Sequence, residues 1–255
     1  MILNIAAYRF TPIDQPCALA DQLRGWAEAG DLRGTVLVAG EGVNLFLAGA
    51  ETAIHAFLDA LLADPRFVDM RVKFSRSQAQ PFARLKVKVK PEIIAFRRAD
   101  ASPLVGRAPA LAPTDLARWI AQGHDDAGKR VVLLDTRNRE EVCYGTFAGA
   151  LALPIDNFTE LPEALEPHRE SLDDATVVSF CTGGIRCEKA ALWLQADGMA
   201  NVLQLDGGIL GYFEQVGGLG YDGRCFVFDD RVALDPQLVP LVDVDAEAGD
   251  IPPIL

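Results

Sequence analysis

The chain has 255 residues, half of them hydrophobic, and a formal net charge of −12. This length suits two domains, and no apolar run approaches the roughly 20 residues of a membrane-spanning helix. An evenly spread negative charge would exclude a nucleic-acid partner, but the charge is divided unevenly. Residues 1–107 contain 14 Lys and Arg against 11 Asp and Glu, whereas residues 108–255 contain 10 against 25. The net negative charge therefore does not argue against a polyanionic partner at the N-terminal part.

The N-terminal part has the pattern of a small α+β domain, which we place at residues 1–98. Its predicted order is βαββαβ with one extra strand, which is typical of a ferredoxin-like α+β sandwich. Residues 99–113 are rich in Ala and Pro and are predicted to form a linker. The predicted strands are 2–10, 34–39, 42–48, 68–74 and 85–89, and the predicted helices are 18–29 and 52–63.

Basic residues concentrate at the end of this domain, where no acidic residue falls between Arg71 and Lys90. The lysines alternate with apolar residues and therefore share one face of a strand. One interpretation is the solvated face of an edge strand, which blocks aggregation. The other is a patch that contacts RNA phosphates. The candidate residues for such a patch are Arg84, Lys86, Lys88 and Lys90.

The stretch FCTGGIRCEKA at 180–190 carries the most chemical information. Cys181 follows an apolar, β-branched run at 176–180 that predicts a buried strand, and a helix is predicted at 188–196. Loop amides and the positive end of the helix dipole are therefore expected to point at the Cys181 sulfur. Gly183 and Gly184 allow the tight path that this needs. With Arg186 nearby, we expect a lowered thiol pKa and a stabilised thiolate or persulfide.

The spacing of this loop narrows the chemistry. Cysteine-dependent phosphatases have five residues between the cysteine and the arginine, whereas only four lie between Cys181 and Arg186, namely Thr182, Gly183, Gly184 and Ile185. The smaller ring of amides suits one added sulfur better than a phosphoryl group. Here the sequence resembles the rhodanese-like family, whose active loop has the same six-residue form and whose first cysteine carries a persulfide.

A second block supports that resemblance. An apolar strand at 131–135 ends in Asp135 and is followed by Arg137, as in rhodanese-like domains, where these residues are possible supports of the loop. The family's usual histidine is replaced in the segment at 145–147. The resemblance implies an α/β domain with a central parallel sheet, placed at 114–221, and a C-terminal extension at 222–255.

Four segments in order extend the resemblance to the tRNA uridine hydroxylase family: 41–44, 84–90, 181–190 and 223–231. That family implies oxygen-dependent conversion of the wobble uridine, position 34 of tRNA, to 5-hydroxyuridine. Its catalytic cysteine corresponds to Cys181, its partner is the anticodon arm of tRNA, and its co-substrate is O₂. Glu41 and Asn44 join the basic strand as candidate tRNA contacts. Many members end in a Cys-rich tail, whereas residues 232–255 here are acidic and contain proline.

Two enzymatic interpretations remain open, and both need Cys181. One is the hydroxylase, and the other is a sulfurtransferase that carries sulfane sulfur as a Cys181 persulfide. A non-catalytic binding module is disfavoured because the loop is intact. Cys187 is either a resolving thiol for Cys181 or a packing residue on the inner face of its helix, with Ala190, Trp193 and Leu194.

The remaining composition concerns cofactors and location. The five cysteines are an odd number without a repeated spacing, which favours reduced thiols in a cytoplasm. The N-terminus lacks the basic segment of a signal peptide, and we expect no membrane association. The three histidines are isolated from one another and from the cysteines, so we predict no metal site. No cofactor is identifiable from the sequence.

Overall fold

The computed structural model describes residues 1–242. The predicted βαββαβ order with one extra strand is confirmed in the N-terminal domain, and the first and last predicted strands have the observed bounds. The elements are β1 (Ile2–Phe10), α1 (Pro16–Ala29), β2 (Arg33–Ala39), β3 (Gly42–Gly49), α2 (Glu51–Leu62), β4 (Val72–Ser77) and β5 (Leu85–Val89).

The start of the fourth strand was predicted wrongly. We expected a strand at 68–74, but β4 begins at Val72, and the preceding residues form turns. The amide of Phe67 bonds the Asp64 carbonyl at 2.9 Å, and the amide of Met70 bonds the Phe67 carbonyl at 2.8 Å. Both Phe67 and Met70 are buried in the core. Their apolar character thus reflects turns that pack inward and not a strand.

The five strands lie in the order β4-β1-β3-β2-β5, with β5 parallel to β2 at one edge. Because side chains alternate between faces, Leu3, Ile5 and Ala7 of β1 point into a core shared with α1 and α2. The alternate positions Tyr8 and Phe10 lie on the other face. We call this second face the open face, and it is turned toward the second domain.

The second domain is built on a sheet with the order β6-β11-β10-β7-β9, in which every pairing is parallel. The predicted α/β architecture with a central parallel sheet is confirmed. The elements are β6 (Ala110–Leu111), α3 (Pro113–Gln122), β7 (Val131–Asp135), α4 (Arg139–Val142), β8 (Gly145–Phe147), β9 (Leu151–Ala152), α5 (Leu161–Leu165), β10 (Thr176–Phe180), α6 (Ile185–Ala196), β11 (Val202–Leu205), α7 (Gly208–Gln215), β12 (Tyr221–Gly223), β13 (Cys225–Phe226) and β14 (Ala233–Leu234).

The segments predicted as linker and extension contribute to this second domain. Strand β6, within 99–113, pairs with β11, and Ala101 and Ala108 are buried in its core. Strand β12 pairs with β8, and Cys225 and Leu234 are buried. The end of the predicted acidic segment, residues 243–255, lies outside the described residues. Within 1–242, no helix is long and apolar enough to cross a membrane.

Two consecutive residues of α6 join the domains. The Lys189 ammonium donates to Glu41 Oε1 at 2.9 Å, to Glu92 Oε2 at 2.6 Å and to the Ile94 carbonyl at 3.0 Å. Glu188, beside it, accepts hydrogen bonds from the N-terminal domain and from the connecting segment. The residues that follow the Cys181 loop are therefore those that fix the N-terminal domain against it.

Candidate active site

Cys181 lies at the carboxyl end of β10, in the turn that leads into α6. Gly184, at the N-cap of α6, has a φ of 104°, which favours glycine. Its amide donates to Cys181 Sγ at 3.1 Å. The helix begins at Ile185, three residues earlier than predicted, so Arg186 and Cys187 belong to its first turn. This turn aims the helix N-terminus at the sulfur, as expected.

The electrostatics of the loop favour a Cys181 thiolate. Burial alone raises the pKa of the Cys181 thiol. The Cys187 hydrogen bond, the Arg186 charge and the amides of Arg186 and Gly184 outweigh it, so the pKa lies well below the ordinary thiol value. Burial and the neighbouring Cys181 raise the pKa of Cys187 well above that value. Cys181 is therefore the anionic member of the pair, and Cys187 keeps its proton.

Cys187 combines features of both sequence interpretations. It is fully buried on the same helix face as Ala190 and Leu194, as the packing interpretation requires. The pKa of its thiol also responds to the neighbouring Cys181, as that of a resolving thiol would. Cys187 thus lies near the candidate nucleophile, and its role stays a prediction.

Glu141 holds Arg186 and was missed by the sequence analysis. Its carboxylate accepts two bonds from the Arg186 guanidinium, at 2.6 and 2.7 Å, and one from Thr182 Oγ1 at 3.2 Å. Burial raises the pKa of Glu141, but the Arg186 charge and hydrogen bonds leave it lowered. The one available signal is Asn138 three residues before Glu141, a helix-start pattern. That pattern predicts the start of a helix and does not indicate an active-site residue.

Asp135 and Arg137 form a fully buried ion pair below the loop. Arg137 Nη2 donates to Asp135 Oδ2 at 2.7 Å and to the Gly145 carbonyl at 2.6 Å, while Thr146 Oγ1 donates to the same carboxylate. Their contacts tie β7 to β8, the segment that lacks the usual histidine. The structure places Asp135 beside Phe180, the residue before Cys181, and a supporting role of the pair stays a prediction.

Two residues of the N-terminal domain reach the loop or the helix that follows it, and the sequence analysis missed both. Lys73 Nζ donates to the Gly183 carbonyl at 2.9 Å and to the Gly207 carbonyl. Burial lowers the pKa of Lys73, although the nearby Cys181 and Glu214 oppose that shift. Tyr8 Oη donates to Glu188 Oε1 at 3.0 Å, and burial raises the pKa of Tyr8 well above its usual value.

A cleft of about 910 Å³ separates the two domains. Cys181, Thr182 and Gly183 line one wall, and Tyr8 and Lys73 line the opposite wall. Within the part of the chain that is described, no group of three His, Cys, Asp or Glu side chains is arranged to hold a metal ion. Cys181 is fully buried and lines a cleft that is large enough for a nucleotide.

The predicted tRNA contacts fall into two groups. Glu41 accepts bonds from Lys189 and from the Ile93 amide, and Asn44 Nδ2 donates to the Ile93 carbonyl. Both side chains are thus engaged in the domain joint, and a role in RNA binding stays a prediction. The basic group is exposed on and beside β5, at the sheet edge opposite β4, and is not brought together with Cys181: Arg84, Lys86, Lys88 and Lys90.

Comparisons with known proteins agree with this architecture. Residues 2–93 match the family described as a UPF0176 acylphosphatase like domain, and residues 113–215 match the rhodanese-like domain family. A protein named tRNA uridine(34) hydroxylase from Xanthomonas euvesicatoria is 68% identical over 248 residues, 97% of this chain and 100% of its own. Another of that name from Xylella fastidiosa is 63% identical over 249 residues, 98% of this chain and 97% of its own.

Fold and site thus define a rhodanese-like protein with an N-terminal ferredoxin-like domain that closes one side of the cysteine cleft. The chain belongs to the tRNA uridine(34) hydroxylase family.

Proposed function

We propose that the chain hydroxylates uridine 34 of tRNA to 5-hydroxyuridine, with O₂ as co-substrate and Cys181 as the catalytic thiolate. The observation that carries the proposal is the Cys181 sulfur at the wall of the interdomain cleft, where its pKa is held well below the ordinary value. The names of relatives that are 63% to 68% identical over nearly the whole chain support the substrate and the reaction. The reaction takes place in the cytoplasm, on the anticodon arm.

A thiolate suits a modification at carbon 5 of uracil. Addition of the Cys181 sulfur to carbon 6 of the ring places negative charge on carbon 5, which is the carbon that becomes hydroxylated. Elimination of the thiolate and loss of the carbon 5 proton restore the ring. One oxygen atom of O₂ enters the base, and the other leaves as water with two electrons and two protons from two thiols of an external reductant, which are oxidised to a disulfide. Arg186, held by Glu141, stabilises the sulfur as a thiolate before the addition and again after the elimination.

The second candidate is sulfur transfer through a Cys181 persulfide. The Gly184 amide, 3.1 Å from Sγ, favours this alternative because converging amides also stabilise a terminal sulfur anion. A sulfurtransferase would turn over thiosulfate and cyanide without tRNA, whereas a hydroxylase would leave them nearly unchanged.

The test uses the purified full chain and tRNA isolated from cells that lack the gene. The tRNA is incubated with isotopically heavy O₂ and a thiol reductant, then digested for nucleoside mass spectrometry. We expect 5-hydroxyuridine that carries the heavy oxygen, and no product under nitrogen. Rapid thiocyanate formation with unmodified tRNA would instead favour the sulfurtransferase.

A further inference from the structure

The open face of the N-terminal sheet carries hydrogen-bonded side chains (Tyr8, Lys73 and Asn44) next to side chains that belong to no core cluster among the described residues. Strand register places residues from neighbouring strands in two rows across this face. The first row is Tyr8, Asn44, Leu37 and Lys88, and the second is Lys73, Ala6, Phe46, Thr35 and Lys86. Each row begins beside the Cys181 loop and ends at the exposed edge strand β5.

Each row contains one apolar side chain that is partly accessible, and in the first row the buried Asn44 separates it from Tyr8. Phe46 and Leu37 are half-buried, both line the cleft, and neither belongs to a hydrophobic core cluster among the described residues. Their neighbours on the same strands, Leu45 and Val36, are fully buried on the opposite face. The core does not require an aromatic ring at position 46, so the ring is available to a ligand in the cleft.

The outer end of both rows is cationic. Lys86 is the register partner of Thr35, and Lys88 is the register partner of Leu37. Both lysines are exposed, and neither forms an ion pair within residues 1–242. From Tyr8 to Lys88 the row crosses three strand spacings, about 14 Å in all. An elongated surface of this length matches a few nucleotides of a single strand.

We propose that this open face binds single-stranded RNA, namely the anticodon-loop nucleotides next to the target uridine, with one base stacked on Phe46 and phosphates at Lys86 and Lys88. The identity of the RNA rests on the proposed function. An aromatic ring beside unpaired lysines is complementary to unstacked bases and their phosphates. The bases of a duplex are already stacked and paired, so a duplex does not offer a face to Phe46. Because the rows lead to Cys181, a loop bound here delivers one base to the thiolate.

The test measures binding of the full chain to an RNA hairpin whose single-stranded loop contains the uridine. Phe46→Ala is expected to weaken binding about ten-fold, because stacking on an aromatic ring contributes about 1–3 kcal/mol per base. Phe46→Tyr keeps the ring and is expected to stay within about two-fold. A fully paired RNA of matched length is the competitor, and it is expected to displace the hairpin poorly.

The lysines are tested separately, so that the result does not depend on one variant. The double change Lys86→Glu and Lys88→Glu is expected to weaken binding more than about ten-fold and to flatten the log–log salt slope by about one to two units. The matched control changes two exposed basic residues elsewhere, Arg98→Glu and Lys129→Glu, and should keep most of the affinity. Thermal unfolding of each variant confirms that the chain is folded.

The outcomes separate this inference from the proposed function. If the Phe46 and lysine variants bind the hairpin as tightly as the wild type, or if the duplex competes equally, the open face is not the RNA surface. This conclusion would hold even if the wild type forms 5-hydroxyuridine. If both variants lose binding while the wild type modifies no uridine, the surface stands and the proposed reaction fails.

Discussion

The Cys181 loop and the open face of the N-terminal sheet lie on opposite walls of one cleft and are built in opposite ways. In the loop, Arg186 and Glu141 are buried and paired, and the sulfur already has its amide donor. On the open face, Phe46 is half-buried outside the core, and Lys86 is exposed. A reacting group needs surroundings that are fixed before the substrate arrives. Side chains of a binding surface can stay unpaired, because the RNA supplies the bases and phosphates that they contact. The buried and paired wall is therefore suited to chemistry, and the open face is suited to binding.

Several long side chains connect the two walls. Lys73 crosses the cleft from β4 to the loop carbonyls, and Lys189 reaches back from α6 into the N-terminal domain. Arg231 Nη1 adds a bond of 2.6 Å to Ser75 Oγ on β4. We therefore expect substitutions on the two walls to differ in their effects on the stability of the fold and on the reactivity of Cys181.

The largest expected effect comes from unpairing Arg186 in the loop. Glu141→Ala leaves a buried guanidinium without its carboxylate, which is expected to lower the free energy of unfolding by about 3–5 kcal/mol. The matched control is Glu140→Ala, which changes the exposed neighbouring glutamate. It should change the free energy of unfolding by less than about 0.5 kcal/mol. Urea unfolding of both variants measures the difference. Equal stabilities would show that the loop is not held by this pair.

A smaller effect is expected at the domain joint, with a defined pH dependence. Lys189→Met removes the partner of Glu92 and Glu41 and is expected to cost about 2 kcal/mol at neutral pH. Burial raises the pKa of Glu92, but the bonds from Lys189 and from amides leave it lowered. A carboxyl with a depressed folded-state pKa stabilises the fold above its unfolded pKa, and this contribution is lost as pH falls through the folded value.

The difference between wild type and Lys189→Met should therefore shrink in acid, beginning near the unfolded glutamate pKa of about 4.3. Urea unfolding at a series of pH values measures it. A difference that stays constant down to the acid limit would contradict the assigned role of Lys189.

A modest effect is expected on the reactivity of Cys181 when the facing wall loses its charge. Lys73→Met removes a cation beside the thiolate, so the pKa of Cys181 should rise and alkylation should need a higher pH. Lys73→Arg keeps the charge and is the control. The rate of alkylation against pH, followed by mass spectrometry of the Cys181 peptide, reports the change. Identical profiles for all three proteins would mean that Lys73 positions the loop without acting on the sulfur.

The smallest stability effect is expected on the open face. Phe46→Ala removes a ring that lies outside the core clusters and should lower the melting temperature only slightly, in contrast with Glu141→Ala. Thermal unfolding of the two variants side by side tests the contrast. A large loss for Phe46→Ala would show that the ring is structural and would remove the distinction between the walls.

Local sequence determined what could be predicted correctly. Cys181 falls where expected because a β-branched strand, two glycines and a run of helix formers specify a strand–turn–helix within about 20 residues. Strand β5 was predicted correctly because Leu85–Val89 alternates strictly. Strand β4 was placed too early because a buried turn residue, Met70, resembles a strand residue in its apolar character.

Residues brought together from distant parts of the chain could not be predicted. Glu141 lies 45 positions from Arg186, and Lys73 lies 110 positions from Gly183. No local periodicity encodes such pairs, because the first depends on how α4 packs near the start of α6 within one domain and the second on how the two domains dock. Glu41 shows the opposite error. It was predicted to contact RNA, but its carboxylate accepts hydrogen bonds from Lys189 and from a backbone amide.

The most direct test of the account is nucleoside mass spectrometry of tRNA from cells that lack the gene and carry one variant of this chain. The wild type and Cys143→Ser, which changes an exposed cysteine, should restore 5-hydroxyuridine fully. Cys187→Ser should restore a substantial fraction, and Cys181→Ser should restore none. Full restoration by Cys181→Ser would contradict the assignment of Cys181 as the catalytic thiolate.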